Sequence, residues 1–219
     1  MKIPTYLPLP VLLAFLLGSC AGPASHEPTN LSTVKSEVKE YVTTKKYDAD
    51  LAAVAAPANA WVATRARSGT AKPAIVFDID ETTLSNLAHM QDADWGYQPE
   101  SWSKWVLTGK APAISAVREV YKTARANNVT VFFITGRRQS EKEATARNLR
   151  TQGMGDFEAL LVRADDSKLA VGPFKAAERK KITEQGYTII ANIGDQQSDL
   201  DGGYAERTFK LPNPFYLIP

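Results

Sequence analysis

From residue 72 onward the chain alternates short apolar runs with longer amphipathic stretches. Ile75-Val76-Phe77 and Val131-Phe132-Phe133-Ile134 are uninterrupted apolar runs, the pattern of strands covered on both faces. Strands are predicted over residues 74–79, 130–134, 157–162, 187–193 and 208–211. Between the first two, residues 112–127 carry Ile114, Val117, Val120 and Tyr121 at helical spacing, with Pro112 near the start. After the second strand, Ser140-Glu141-Lys142-Glu143 reads as a capping box that opens another helix. A third helix, residues 173–185, opens on a proline and stops at Gly186. Strands alternating with helices predict an α/β fold, Rossmann-like, with a mainly parallel sheet flanked by helices.

Two helical stretches precede the sheet. Leu31, Val34, Val38, Tyr41 and Val42 share one face, and Leu51, Val54, Trp61 and Val62 share another. Pro57 interrupts the second stretch and is expected to kink or restart it. Residues 31–71 thus form an N-terminal helical extension outside a core of residues 72–219. The link between the first two strands is longer than a simple crossover needs. Residues 84–110 therefore read as a small cap insertion, rich in large side chains: His89, Met90, Trp95, Tyr97, Trp102 and Trp105.

The polar residues that end the apolar runs carry the chemistry. Asp78 and Asp80 follow the first run, Thr135 the second, and Asp195 the fourth, with Asp199 four residues on. In an open parallel sheet, ligands bind at the carboxyl ends of the strands, so these residues converge on one crevice. Asp78, Asp80, Asp195 and Asp199 packed together would repel one another. A hard divalent cation resolves that repulsion, and oxygen ligands without a nearby histidine or thiol favour magnesium over zinc. Magnesium also suits phosphoryl transfer, because it bridges to phosphate oxygens. His26 and His89 have no nucleophile or ligand partner at useful spacing.

Composition adds exclusions. Of 219 residues 44% are hydrophobic and 23% charged, a globular balance far from that of a disordered chain. With 26 basic and 24 acidic residues the net charge is +2, which makes no case for binding a nucleic-acid polymer. The N-terminus is different in kind. Lys2 precedes an apolar segment over residues 6–17 that is too short to span a bilayer comfortably and reads as a secretory signal over residues 1–19. It ends Leu17-Gly18-Ser19-Cys20, which resembles a bacterial lipobox whose cysteine is acylated. Cys20 is the only cysteine, and lipidation accounts for a lone thiol in a secreted chain. Residues 20–30 then form a tether of small and turn residues. Ala21 after the cysteine, in a Gram-negative host, favours the outer membrane, with the protein facing the periplasm or cell surface.

Asp78-Ile79-Asp80-Glu81-Thr82 followed in order by Thr135, Lys175 and Gly194-Asp195-Gln196-Gln197-Ser198-Asp199 resembles the four motifs of the haloacid dehalogenase (HAD) superfamily of phosphatases. Within it the chain is most similar to the secreted acid phosphatases with four catalytic aspartates, a resemblance supported by residues 99–105 and the tail Lys210-Leu211-Pro212-Asn213-Pro214. The resemblance implies a magnesium-dependent phosphomonoesterase acting through an aspartyl phosphate, with nucleoside monophosphates among the candidate substrates. Asp78 would attack phosphorus, and Asp80 would protonate the leaving alcohol and then activate water. Thr135 would hold phosphoryl oxygens, and Lys175 would offset the charge of nucleophile and phosphate. Magnesium would be held by Asp78, the backbone carbonyl of Asp80 and Asp195, with Asp199 assisting.

The other features admit two readings each. Trp102 and Trp105, three apart on a helix, pack the insertion or form an aromatic wall that stacks on substrate. Arg137, with Arg138, either contacts the substrate phosphate or is plain surface. The competing functions are a non-enzymatic surface-binding lipoprotein on the same scaffold, and a phosphotransferase that delivers phosphate to another alcohol.

Overall fold

The computed structural model describes residue 1 and residues 28–218; the expected signal segment, Cys20 and most of the tether lie outside the described residues. The core is a five-stranded sheet: β1 (Pro73–Phe77), β2 (Thr130–Arg138), β3 (Ala159–Arg163), β4 (Thr188–Gly194) and β5 (Thr208–Lys210). The strand order is β3-β2-β1-β4-β5, and every pairing is parallel. The order reverses between β1 and β4, which places the switch-point crevice at the carboxyl ends of those two strands.

Two-residue periodicity sorts the strand side chains between two hydrophobic layers. Ile75, Phe77, Val131 and Phe133 join one cluster with α2 (Lys46–Ala66) and α5 (Ser115–Ala126). Ala74, Val76, Phe132 and Ile134 face the other, where Ile182 and Phe174 of α7 (Val171–Glu184) cover them. The apolar runs are continuous because both faces are covered.

α1 (Leu31–Thr43) buries no residue fully, whereas α2 buries Tyr47, Leu51, Ala55, Ala58 and Val62. The helix does not restart at Pro57: α2 runs through it for 21 residues. A missing N–H costs one backbone hydrogen bond. The buried stripe on both sides of Pro57 outweighs that cost, and the Trp61 indole N–H donates to the Ile190 carbonyl at 2.7 Å.

The capping box expected at Ser140 is also absent. A short 3-10 turn, Gln139–Glu141, precedes α6 (Lys142–Thr151). The Ser140 hydroxyl donates to Asp165 at 2.7 Å, while Glu141 accepts the Arg138 backbone N–H at 2.8 Å. Strand β2 also runs past residue 134 to Arg138, through a register irregularity that lets Arg138 pair with Arg163. The cap holds α3 (Leu87–Asp92) and α4 (Pro99–Thr108), and Leu84 beneath it bridges both Asp80 and Ala113.

Candidate active site

Asp78 leaves β1 with its backbone N–H on the Ile193 carbonyl, so the strand pairing itself aims the residue. Its carboxylate is buried and contacts the Lys175 ammonium from α7. Lys175 also contacts Asp199, at 2.6 Å. Burial would lower the Lys175 pKa, but the carboxylates of Asp78 and Asp199 hold it above the usual lysine range. Burial pushes Asp78 well up, Lys175 draws part of that back, and Asp199, Asp195 and Asp80 push it up again.

Asp195 and Asp199 come from the turn after β4, where α8 (Gln197–Leu200) begins. Gly194 permits the turn, because a Cβ there would collide with the Asp199 side chain. Asp199 accepts the Gln196 backbone N–H at 2.9 Å. Asp195 accepts from Thr82 at 2.9 Å, Gln196 at 2.6 Å and Asn213 of the C-terminal tail at 2.7 Å. Burial and the neighbouring Asp199 still raise the Asp195 pKa.

Carboxylate oxygens of Asp78, Asp195 and Asp199 lie within 4.8 Å of one another, all three buried, with one ammonium to balance three acids. The residues fit a hard divalent cation: an oxygen-only donor set and more buried acids than the one ammonium balances.

Asp80 sits apart from that cluster and is more open, with 15% of its side chain exposed. Arg137 grips it with Nη2 at 2.7 Å and Nε at 3.1 Å, and Asn86 donates to it at 2.9 Å. Arg137 is itself buried, with Nη1 on the Thr145 hydroxyl at 2.9 Å. Its guanidinium thus holds Asp80 and lines the cavity, and is not plain surface. Thr135 is fully buried, and its hydroxyl accepts the Arg137 backbone N–H at 3.1 Å.

These residues open onto a cavity of about 300 Å³, lined at its base by Asp78, Asp80, Lys175, Asp195 and Asp199. Trp102 is on its wall, with Tyr97 and Tyr216; their ring centroids are 5.3 to 6.2 Å apart. Trp105 does not line the cavity. Its indole donates to Asn86 at 2.8 Å and stacks on His89, so it supports the cap from behind.

Sequence reasoning missed four residues. Glu81 is fully buried with a left-handed backbone (φ 53°), and accepts from Asn86 N–H at 2.7 Å and the Tyr216 hydroxyl at 2.6 Å. Burial, then Asp80, raise its pKa to about 8 against the pull of those hydrogen bonds. Asn86 joins Glu81, Asp80 and Trp105. Buried Arg179 donates to the carbonyl of Asp199 at 2.6 Å and that of Gly203 at 2.9 Å, and so fixes the acid-bearing turn. The only available signal was position: an acid inside the first motif, and an arginine one helical turn after Lys175.

A parallel sheet that delivers a paired-acid motif from its first strand into a capped, lysine-bearing acid cluster is the architecture of a HAD-type phosphatase. The family description "HAD superfamily, subfamily IIIB (Acid phosphatase)" matches residues 22–219, so the chain belongs to that family of phosphomonoesterases. Acid phosphatase 1 of Solanum lycopersicum is 33% identical over 88% of this chain and 80% of its own length. Vegetative storage protein 1 of Arabidopsis thaliana is 30% identical over 87% and 74%. Among solved structures, the class C acid phosphatase of Bacillus anthracis with tungstate bound shares the fold, with a TM-score of 0.69 at 24% identity, covering 84% of this chain and 86% of that one.

Proposed function

We propose that this acid phosphatase is magnesium-dependent and hydrolyses small phosphomonoesters, nucleoside monophosphates among them, through an aspartyl phosphate on Asp78. One observation carries the division of labour: the two acids of the first motif sit in different environments. Asp78 is buried against Lys175 and joins the acid cluster, whereas Asp80 is held outside it by Arg137 and Asn86. Two carboxyls held apart in this way can take different roles, one as nucleophile and one as proton carrier.

Asp78, Asp195 and the carbonyl of Asp80 would hold magnesium, with Asp199 assisting. A bound magnesium ion supplies charge neutralisation at the phosphoryl oxygens. Lys175 holds Asp78 in place and offsets incoming negative charge. Asp80 protonates the departing alcohol, then takes a proton from the water that releases phosphate. Trp102, Tyr97 and Tyr216 offer ring faces to a flat leaving group.

The test is a phosphomonoester panel incubated with the purified domain, before and after EDTA treatment. Turnover should disappear with EDTA and return with magnesium. A folded protein inert towards every ester from pH 4 to 8 in magnesium would favour the non-enzymatic binding reading. Transfer to added nucleoside, rather than release of phosphate, would identify a phosphotransferase.

The chain is proposed to act outside the cytoplasm, tethered by acylated Cys20 to the outer membrane. A Cys20→Ser protein should lose lipid labelling and leave the membrane fraction. Retention by the membrane would overturn the anchor.

A further inference from the structure

We propose that the cavity holds a second anion subsite, formed by Arg138 and Arg163, which favours phosphomonoesters bearing another anionic group over those with a neutral leaving group such as a nucleoside. The proposal rests on the phosphatase reading and specifies its substrate class.

The cavity wall carries four cations: Arg137, Arg138, Arg163 and Lys175. Arg137 is paired with Asp80, and Lys175 with Asp78 and Asp199. Among the described residues neither Arg138 nor Arg163 forms an ion pair. The nearby acids are engaged elsewhere. Glu141 accepts from the Arg138 backbone N–H and from Ser103, and Asp165 accepts the backbone and hydroxyl of Ser140.

The two guanidiniums are also held together. Arg138 and Arg163 are register partners at the carboxyl ends of β2 and β3, so they rise side by side. Arg138 donates to the carbonyls of Ala164 at 2.9 Å and Ser167 at 3.0 Å. Arg163 donates to the same Ser167 oxygen at 3.3 Å and to the Leu169 carbonyl. Carbonyl dipoles orient the two groups without a salt bridge, the Asp165 carboxylate offsets the Arg138 charge only in part, and burial and then Arg138 lower the Arg163 pKa. Among the described residues the buried Nε of Arg163 has no hydrogen-bond partner, which leaves this guanidinium under-satisfied. A planar acceptor such as a carboxylate or phosphate relieves the repulsion between the two guanidiniums.

The sheet sets the reach. Arg138 stands one strand, and Arg163 two strands, from the strand that delivers Asp78. Strands are about 4.8 Å apart, and Arg138 also lies four residues past the level of Asp78, since Phe77 pairs with Phe133, so the second anion stands both sideways from the phosphate under attack and further out. That placement fits a leaving group with an acid at its far end.

The test compares phenyl phosphates substituted at the 3- or 4-position with carboxylate, phosphonate or neutral carboxamide. Carboxamide matches carboxylate in shape, so the ratio of their kcat/KM values isolates charge. At least one anionic ester should exceed its carboxamide twin by about tenfold or more, mainly through KM, the scale of one charge-assisted hydrogen bond. In Arg138→Gln and Arg163→Gln the ratio should fall towards one, whereas Arg163→Lys should keep part of it. Because the readout is a ratio within each protein, a general loss of activity cannot imitate it. A ratio near one in the unaltered enzyme, or one that survives both glutamine variants, overturns the subsite while leaving the phosphatase intact. No turnover of any ester would instead overturn the phosphatase reading on which it rests.

Discussion

An Asp78→Asn protein should fold normally and lose turnover of every phosphomonoester by at least roughly four orders of magnitude, the scale on which enzymes lose a covalent nucleophile. The amide keeps the size of the side chain and an oxygen for Lys175 to contact, but it cannot form the acyl phosphate. The same substitution removes one of three crowded, buried acids. Asp199, Asp195 and Asp80 all disfavour charge on Asp78, so its neutral replacement relieves that repulsion while giving up the Lys175 ion pair. Thermal stability should therefore stay close to that of the parent, which separates lost chemistry from lost fold. Steady-state assays beside a melting curve decide the matter: activity above about one per cent of the parent would refute Asp78 as nucleophile.

How far the sequence spoke depended on the range of the physics involved. The strands were legible because burial on both faces leaves continuous apolar runs such as Val131-Phe132-Phe133-Ile134. The convergence of Asp78, Asp195 and Asp199 followed from topology alone, since a parallel sheet gathers its strand ends. The restart at Pro57 and the cap at Ser140 misled for the same reason: both are local signals, and tertiary contacts overrode them. The Trp61 anchor and a buried helix face carried α2 through the proline, and Asp165, far along the chain, took the serine hydroxyl. The role of Arg137 was out of reach, because a guanidinium after a strand reads alike whether it holds phosphate or a neighbouring acid. The 2.7 Å contact shows that it holds Asp80. Trp102 and Trp105 share a helix face by spacing, yet only Trp102 lines the cavity, because Asn86 draws the Trp105 indole inward.

Asp80→Asn should lower turnover by about 10²- to 10⁴-fold, the usual contribution of a positioned general acid and base, and the size should depend on the leaving group. An alkyl alcohol departs poorly without a proton, so alkyl phosphates should take the full loss. Nitrophenolate departs well unprotonated, so the first step on 4-nitrophenyl phosphate should survive. Release of phosphate needs Asp80 as base whatever the first substrate was, and this second step should then become limiting. The expected signature is a rapid burst of nitrophenolate, one equivalent per active site, followed by a slow steady state, with phosphate bound covalently to Asp78. Asparagine preserves an oxygen for the Arg137 and Asn86 contacts, so the cap should keep its position while the charge that balanced buried Arg137 is gone. Some loss of stability is expected on that account, since an unpaired buried guanidinium is costly. Rapid-quench measurement with the two substrates checks the prediction: equal losses for alkyl and nitrophenyl esters, with no burst, would show that Asp80 positions groups rather than carrying the proton.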